Sequence, residues 1–222
     1  MNFLDNTMPT GDPICPVCKN YTQMCSCSDV STSVVYTMTP PVSLGLITSY
    51  KSIFDTPADA YVNTVNCVGV MGAGIALEFK KRYPKMFEHY KEQCAKHALR
   101  PGDCYSYFDE EHHVWILGLA VKDDWRHWST LEWIESSIKS LKLVILENDI
   151  KSVNMPLPGG KNGRRGPYGK VVGFTAPPER EEIKTLITTE LSRFSEKFGV
   201  DINLCLPDEA PKKPEFTLDT FL

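Results

Sequence analysis

No apolar run in this sequence approaches the roughly 18 consecutive residues that a helical membrane span requires. The start, Met1-Asn2-Phe3-Leu4-Asp5, lacks the basic and apolar regions of a secretory signal. These absences predict an intracellular, cytoplasmic chain with no membrane partner. A basic surplus is missing too: 24 Lys and Arg stand against 28 Asp and Glu, a formal net charge of −4. Proteins that coat long nucleic acid through its backbone are usually basic. The charge therefore speaks against coating a duplex and leaves recognition of a strand end or a single modified base open. No internal repeat and no long low-complexity run occurs, which excludes a repeat architecture.

What is present suits one substantial α/β domain with additions at both ends. The chain has 222 residues, 42% of them hydrophobic, enough for a real core. Residues 1–43 read as an extension rich in Thr, Ser, Pro and Asn. Residues 207–222 read as a flexible tail, because their Pro and charge content leaves little apolar surface to bury. Between them, residues 44–206 alternate strand and helix. Strands are expected at 46–50, 58–65, 104–108, 113–119, 151–155 and 201–205. Helices are expected at 73–83, from Pro84 to about 96, from Ser129 onward and at 179–198. Ser129-Thr130-Leu131-Glu132 reads as a capping box. Leu131, Ile134, Ile138, Leu141 and Ile145 then form one apolar face, as do Ile183, Ile187, Leu191, Phe194 and Phe198. The order β-β-α-α-β-β-α-β-α-β predicts a mixed, mostly parallel sheet with helices on both faces.

Ligands of open α/β sheets sit where strands end and loops lead into helices. The stretch Val68-Gly69-Val70-Met71-Gly72-Ala73-Gly74-Ile75 has that placement, between an expected strand and an expected helix. Its glycines let backbone N–H groups approach an anion at the positive end of the following helix. The same glycines also suit a tight turn with no ligand. No Gly-Lys-Ser/Thr closes the loop, so it is not a Walker loop. Asn63 and Asn66, just before it, offer donors and acceptors suited to ribose hydroxyls.

The wording Asn63-Thr64-Val65-Asn66-Cys67-Val68-Gly69-Val70-Met71-Gly72-Ala73-Gly74-Ile75-Ala76-Leu77-Glu78-Phe79-Lys80 resembles macrodomains of the DarG type. These are DNA ADP-ribosyl glycohydrolase antitoxins, related to terminal ADP-ribose protein glycohydrolase. The resemblance extends more weakly over about residues 46–205. It implies a three-layer α/β/α macrodomain. It implies that Asn66 faces the distal ribose near the bond to be cut, and that Gly72, Ala73 and Gly74 hold the pyrophosphate by backbone, with Val70, Met71 and Ile75 among the ligand-binding residues. Where many macrodomains carry an acidic residue for the adenine, this chain has Ser52, followed by Ile53.

Val121-Lys122-Asp123-Asp124-Trp125-Arg126-His127-Trp128 resembles the family segment that carries a catalytic lysine, which maps onto Lys122. A lysine beside the sugar can donate a proton or hydrogen bond to an oxocarbenium-like state. With a pKa lowered by burial, it can also attack the opened sugar's aldehyde as a Schiff base. Trp125 and Trp128 either stack on a nucleobase, with Arg126 pairing with phosphate, or pack beneath the loop.

A second loop holds Pro158, Gly159, Gly160, Lys161, Asn162, Gly163 and Arg164, and corresponds to the family loop that closes over the second phosphate and distal ribose. No acidic residue occurs between Met155 and Gly169, where vertebrate relatives use an aspartate. Chemistry then rests on Lys122, with Asp123, Asp124 or a substrate group as the available partners. Lys161, Arg164 and Arg165 suit a phosphate-rich ligand or a solvated basic loop.

Cys15, Cys18, Cys25 and Cys27 form a Cys-x2-Cys-x6-Cys-x-Cys cluster suited to a structural zinc knuckle or to a cysteine-bearing arm. Four protein ligands would leave that zinc no open position, so no cofactor is expected for catalysis. The expected activity is hydrolytic removal of ADP-ribose from a modified target, foremost ADP-ribosylated DNA, by a monomer. Such an enzyme would counter a DNA-modifying toxin or serve a virus against a bacterial host's defence. A non-catalytic ADP-ribose-binding module and an ADP-ribose 1''-phosphate phosphatase are the alternatives.

Overall fold

A computed structural model describes residues 45–159 and 177–210. Gly160, Lys161, Asn162, Gly163 and Arg164, and the cluster Cys15, Cys18, Cys25 and Cys27, lie outside the described residues.

The elements follow the expected order: β1 (Leu46–Ser49), β2 (Ala60–Asn66), α1 (Gly74–Arg82), α2 (Pro84–Ala95), β3 (Cys104–Asp109), β4 (Val114–Lys122), α3 (Leu131–Glu147), β5 (Ser152–Pro156), α4 (Arg180–Phe198) and β6 (Asp201–Cys205). The sheet runs β1-β6-β5-β2-β4-β3. Every neighbouring pair is parallel except β3 with β4. β4 reads Val-Trp-Ile-Leu-Gly-Leu-Ala-Val-Lys and is buried along nearly its whole length, as a central strand covered on both faces must be.

The pleat divides the core. Ala60, Val62, Leu117 and Leu119 pack with Ile134, Ile138, Leu141 and Ile145 of α3 and with Ile183, Ile187, Leu191 and Phe194 of α4. Val65, Ile116 and Ala120 point the other way, toward Phe79 of α1 and Met86, Phe87, Tyr90 and Cys94 of α2. The result is three layers, α3 and α4 on one face and α1 and α2 on the other. Phe198, expected on the buried face of α4, is 42% exposed at the helix end and stacks on Phe194. No helix among the described residues is long and apolar enough to cross a membrane.

Three local expectations change. β2 begins at Ala60 rather than 58, because Asp59 staples the strand start. Its carboxylate accepts the N–H groups of Lys151 and Ser152, both at 2.9 Å, and its own N–H donates to Ser152 Oγ at 2.8 Å. The cap of α3 is Thr130, not Ser129: the chain is extended at Thr130, and its Oγ1 accepts the Trp133 N–H at 3.2 Å. Glu132 then stands too early in the helix to close a reciprocal box, and Ser129 Oγ is buried with no partner among the described residues. Residues Pro207–Glu209, grouped by sequence with the tail, form a 3₁₀ turn. Glu209 ties that turn to Arg180 and Lys184 at the start of α4.

Replacing Thr130 with Ala should lower stability by about 1 kcal/mol. Ser129→Ala should leave it unchanged or raise it, because it removes a buried hydroxyl with no partner. Urea unfolding of both variants measures this, and equal losses would return the cap to Ser129.

Candidate functional site

The site grows from a register shift at the ends of β2 and β4. The pairing runs Thr64 with Leu119 and Val65 with Ala120, then jumps to Asn66 with Lys122. Val121 is the extra residue, and its side chain stays in the α3–α4 core. A bulge re-aims the residues that follow it. Here it sets Lys122 beside Asn66, although 121 would have been its partner in an even ladder. One step further, the Cys67 N–H donates to the Asp123 carbonyl at 3.0 Å.

Asn66 is almost fully occupied. Its Nδ2 donates to the Val70 carbonyl at 2.6 Å, and its Oδ1 accepts the N–H groups of Val68 at 3.1 Å and Val70 at 3.2 Å. The hydroxyl of Tyr90, from α2, donates to the Asn66 carbonyl at 2.6 Å and lies 3.2 Å from Oδ1. Burial pushes the Tyr90 phenol well above its ordinary range, so it remains a donor at any working pH. This network fixes which way the amide points. One Nδ2 hydrogen is left over among the described residues, so Asn66 can offer a ligand a donor but no acceptor.

The loop then passes Met71, which is buried and receives Asn63 Nδ2 at 3.8 Å from its sulfur. Asn63 Oδ1 is buried without a partner among the described residues. Gly72, Ala73 and Gly74 are exposed, and Ile75 leans against the α1–α2 core. Helix α1 starts behind the extended Ala73 with no side-chain cap and no acidic residue in its first turn. Its first N–H groups and the positive end of its dipole therefore face outward, a geometry that favours an anion. Lys80, Lys81 and Arg82 complement the opposite end.

Lys122 is 8% exposed. Burial pushes its pKa from 10.5 down to about 8, while the charges of Asp123 and Asp124 oppose that fall. Those carboxylates are themselves engaged: Asp123 lies 3.0 Å from His127 Nδ1, and Asp124 accepts the Arg126 guanidinium at 2.9 Å. Cys67, also beside Asn66, is pushed up to about 12, mainly by burial, and stays a thiol at neutral pH.

On the other flank, the Ser52 N–H donates to Asp55 Oδ2 at 2.9 Å, and Ser52 Oγ accepts the Phe54 N–H at 3.4 Å. Ile53 is buried, and its carbonyl accepts Asn154 Nδ2 at 3.0 Å. Pro158 and Gly159 are buried at the root of the second loop. Gly159 has φ +68, and a Cβ there would lie 2.9 Å from Ile183 Cδ1 and 3.0 Å from Ile134 Cδ1, so backbone conformation and packing both require glycine.

The strand ends thus bring Asn66, Lys122 and the Gly72–Gly74 turn to one end of the sheet. Ser52 and Ile53 serve a tight turn whose acid is Asp55. Sequence reasoning missed Tyr90 and Asp55. Tyr90 sits at helical spacing with Met86 and Cys94 and reads as core; its one polar handle is the signal, since a buried tyrosine hydroxyl needs a partner.

Comparison with known proteins identifies the family. The Macro domain family matches residues 62–161. A DNA ADP-ribosyl glycohydrolase of Thermus aquaticus is 34% identical over 163 residues, covering 72% of this chain and 41% of that protein. Its counterpart from Mycobacterium tuberculosis is 42% identical over 109 residues, covering 47% of this chain and 30% of that protein. The chain thus spans less than half the length of these relatives. The solved macrodomain of Mycobacterium tuberculosis DarG superposes with a TM-score of 0.60 at 32% identity, covering 72% of this chain and 98% of that one. The chain belongs to the macrodomain family, and within it is similar to the macrodomains of DarG.

The lowered pKa of Lys122 has a measurable consequence. Between about 8 and 10.5 the unfolded chain binds more protons at this position than the folded one, so this group's contribution to stability rises with pH across that window. Wild type should therefore gain stability relative to a Lys122→Met variant as pH climbs through it, in paired urea unfolding curves. A difference independent of pH would contradict the lowered pKa.

Proposed function

We propose that this macrodomain binds the ADP-ribose group of a modified DNA strand and hydrolyses the N-glycosidic bond that joins its distal ribose to the base. The pyrophosphate lies at the uncapped start of α1, against the N–H groups of Gly72 to Ile75. The remaining Nδ2 hydrogen of Asn66 donates to a distal ribose hydroxyl. Lys122 stands beside that ribose. The observation that carries the reading is the Asn66–Lys122 pairing across the bulge, with a buried amine whose pKa falls to about 8.

Such a group suits the chemistry near neutral pH. Its protonated form donates to the departing bond or opening ring, and its neutral fraction is nucleophilic toward the aldehyde of an opened sugar. In either route water adds to the sugar carbon, the bond to the base breaks, the base takes a proton, and ADP-ribose leaves. Asp123 and Asp124, tied to His127 and Arg126, are not counted as the base. The resemblance to proteins described as DNA ADP-ribosyl glycohydrolases supports DNA as the modified target.

The test is release of ADP-ribose from an ADP-ribosylated oligonucleotide and from an ADP-ribosylated protein. Wild type should act on the oligonucleotide. Lys122→Ala should lose about 100-fold or more, equivalent to about 2.7 kcal/mol of barrier, while still binding ADP-ribose. Undiminished release by Lys122→Ala would remove the lysine from the reaction. Binding without release by wild type would make the domain a non-catalytic module.

A further inference from the structure

Charge is unevenly spread between the two helical layers. The formal net charge of the chain is −4, and α3 and α4 together hold six cations and seven carboxylates. Helices α1 and α2 reverse that balance, with five cations, Lys80, Lys81, Arg82, Lys85 and Lys91, against three carboxylates, Glu78, Glu88 and Glu92. A basic surface confined to one face of an acidic protein is the electrostatic footprint of an anionic partner.

Two of these cations meet beside the glycine loop. Lys80 Nζ lies 4.3 Å from the centre of the Phe87 ring and Lys91 Nζ lies 5.4 Å from it, so one ring gathers an ammonium from each helix. Both lysines are exposed and Phe87 is buried, so it is the cations and not the ring that face outward. Lys91 Nζ lies 3.1 Å from Glu88 Oε2 in an exposed pair, which contributes little by itself. Lys80 forms no ion pair with a carboxylate among the described residues.

A chain of contacts ties this pair to the sugar-facing end of the site. A Cβ on Gly69 would lie 3.6 Å from both Cα and Cγ of Lys91, so the loop rests directly on α2 at that residue. Gly69 stands between Val68 and Val70, whose N–H groups Asn66 Oδ1 accepts at 3.1 and 3.2 Å. Tyr90 turns inward and donates to the Asn66 carbonyl at 2.6 Å, while Lys91, next to it on α2, is exposed. Lys80 follows the start of α1 by about 9 Å of helix rise. The two ammoniums thus stand on the outer side of the loop, beyond the helix end offered to the pyrophosphate, and fit a second anion.

We infer that Lys80 and Lys91, seated on Phe87, bind backbone phosphate of the polynucleotide that carries the ADP-ribose group, next to the modified nucleotide. The inference rests on the DNA-directed reading above. Ammonium groups on flexible stems hold phosphate as point charges, and phosphate contacts position a strand without reading its sequence. A patch this small on an acidic protein holds the strand at one point rather than along its length.

Three double variants separate the outcomes. Each phosphate contact contributes about 0.7 to 0.9 to the slope of log affinity against log salt, which is roughly 5- to 8-fold at about 0.1 M salt. Lys80→Ala/Lys91→Ala should therefore raise KM for an ADP-ribosylated oligonucleotide by roughly 5- to 60-fold and lower that slope by about 1 to 2. It should leave kcat, KM for an ADP-ribosylated mononucleoside and the affinity for free ADP-ribose unchanged. Lys80→Arg/Lys91→Arg should retain most of the oligonucleotide affinity. Lys139→Ala/Lys197→Ala removes two exposed charges from the α3–α4 layer and should change none of these values. Oligonucleotide KM unchanged in Lys80→Ala/Lys91→Ala, or raised equally by Lys139→Ala/Lys197→Ala, would overturn the inference. So would weaker binding of free ADP-ribose, which would assign both lysines to its own pyrophosphate. If wild type releases ADP-ribose from no oligonucleotide, the DNA-directed reading fails. Fluorescence anisotropy with an unmodified oligonucleotide then decides the surface alone: weaker binding by Lys80→Ala/Lys91→Ala supports it, and equal or absent binding overturns it.

Discussion

Four contacts on one side chain organise this site. The Asn66 amide holds Val68 and Val70 through three hydrogen bonds, and Tyr90 holds Asn66 from below. A loop of glycines and small residues has no intrinsic reason to adopt one shape. Here its shape is dictated by an amide whose orientation is dictated in turn by a phenol that cannot ionise in its buried place. Because the loop leads through Met71 into α1, the same amide helps set where the open helix end points. Because Asn66 is the last residue of β2, it also sets what lies across from Lys122.

The electrostatics then have one direction. Before a ligand arrives, this end of the sheet presents a partly desolvated lysine and an uncapped helix N-terminus, while the nearby aspartates are tied to His127 and Arg126. An anion that also carries hydroxyls completes the arrangement. A pyrophosphate flanked by two riboses is such a ligand. Burial keeps the thiol of Cys67, close to the same seam, protonated.

Much of this was legible in the chain. The apolar spacing of 134, 138, 141 and 145 and of 183, 187, 191 and 194 specified two helices that pack as expected. The glycine loop and Lys122 stood out because their wording is specific to one branch of the family. What was hidden depends on contacts distant in sequence. Nothing in the spacing of Asn66 and Lys122 reveals that a bulge at Val121 makes them neighbours. Tyr90 looked like core because two of its three requirements, burial and helical spacing, are those of core. The capping box was misplaced by one residue because Ser129 and Thr130 are chemically equivalent as caps, and only the backbone distinguishes them. The sequence suggested Arg126 for a phosphate, but not that its guanidinium would also meet Asp124 and the ring of Trp125.

The dependence of the site on the Asn66 lock is most directly tested by amide hydrogen exchange in a Tyr90→Phe variant, which removes one oxygen atom and little volume. The account predicts faster exchange at Val68 and Val70 with unchanged protection in β4 and β5, together with weaker ADP-ribose binding. Unaltered exchange at Val68 and Val70 with full ADP-ribose affinity would contradict it.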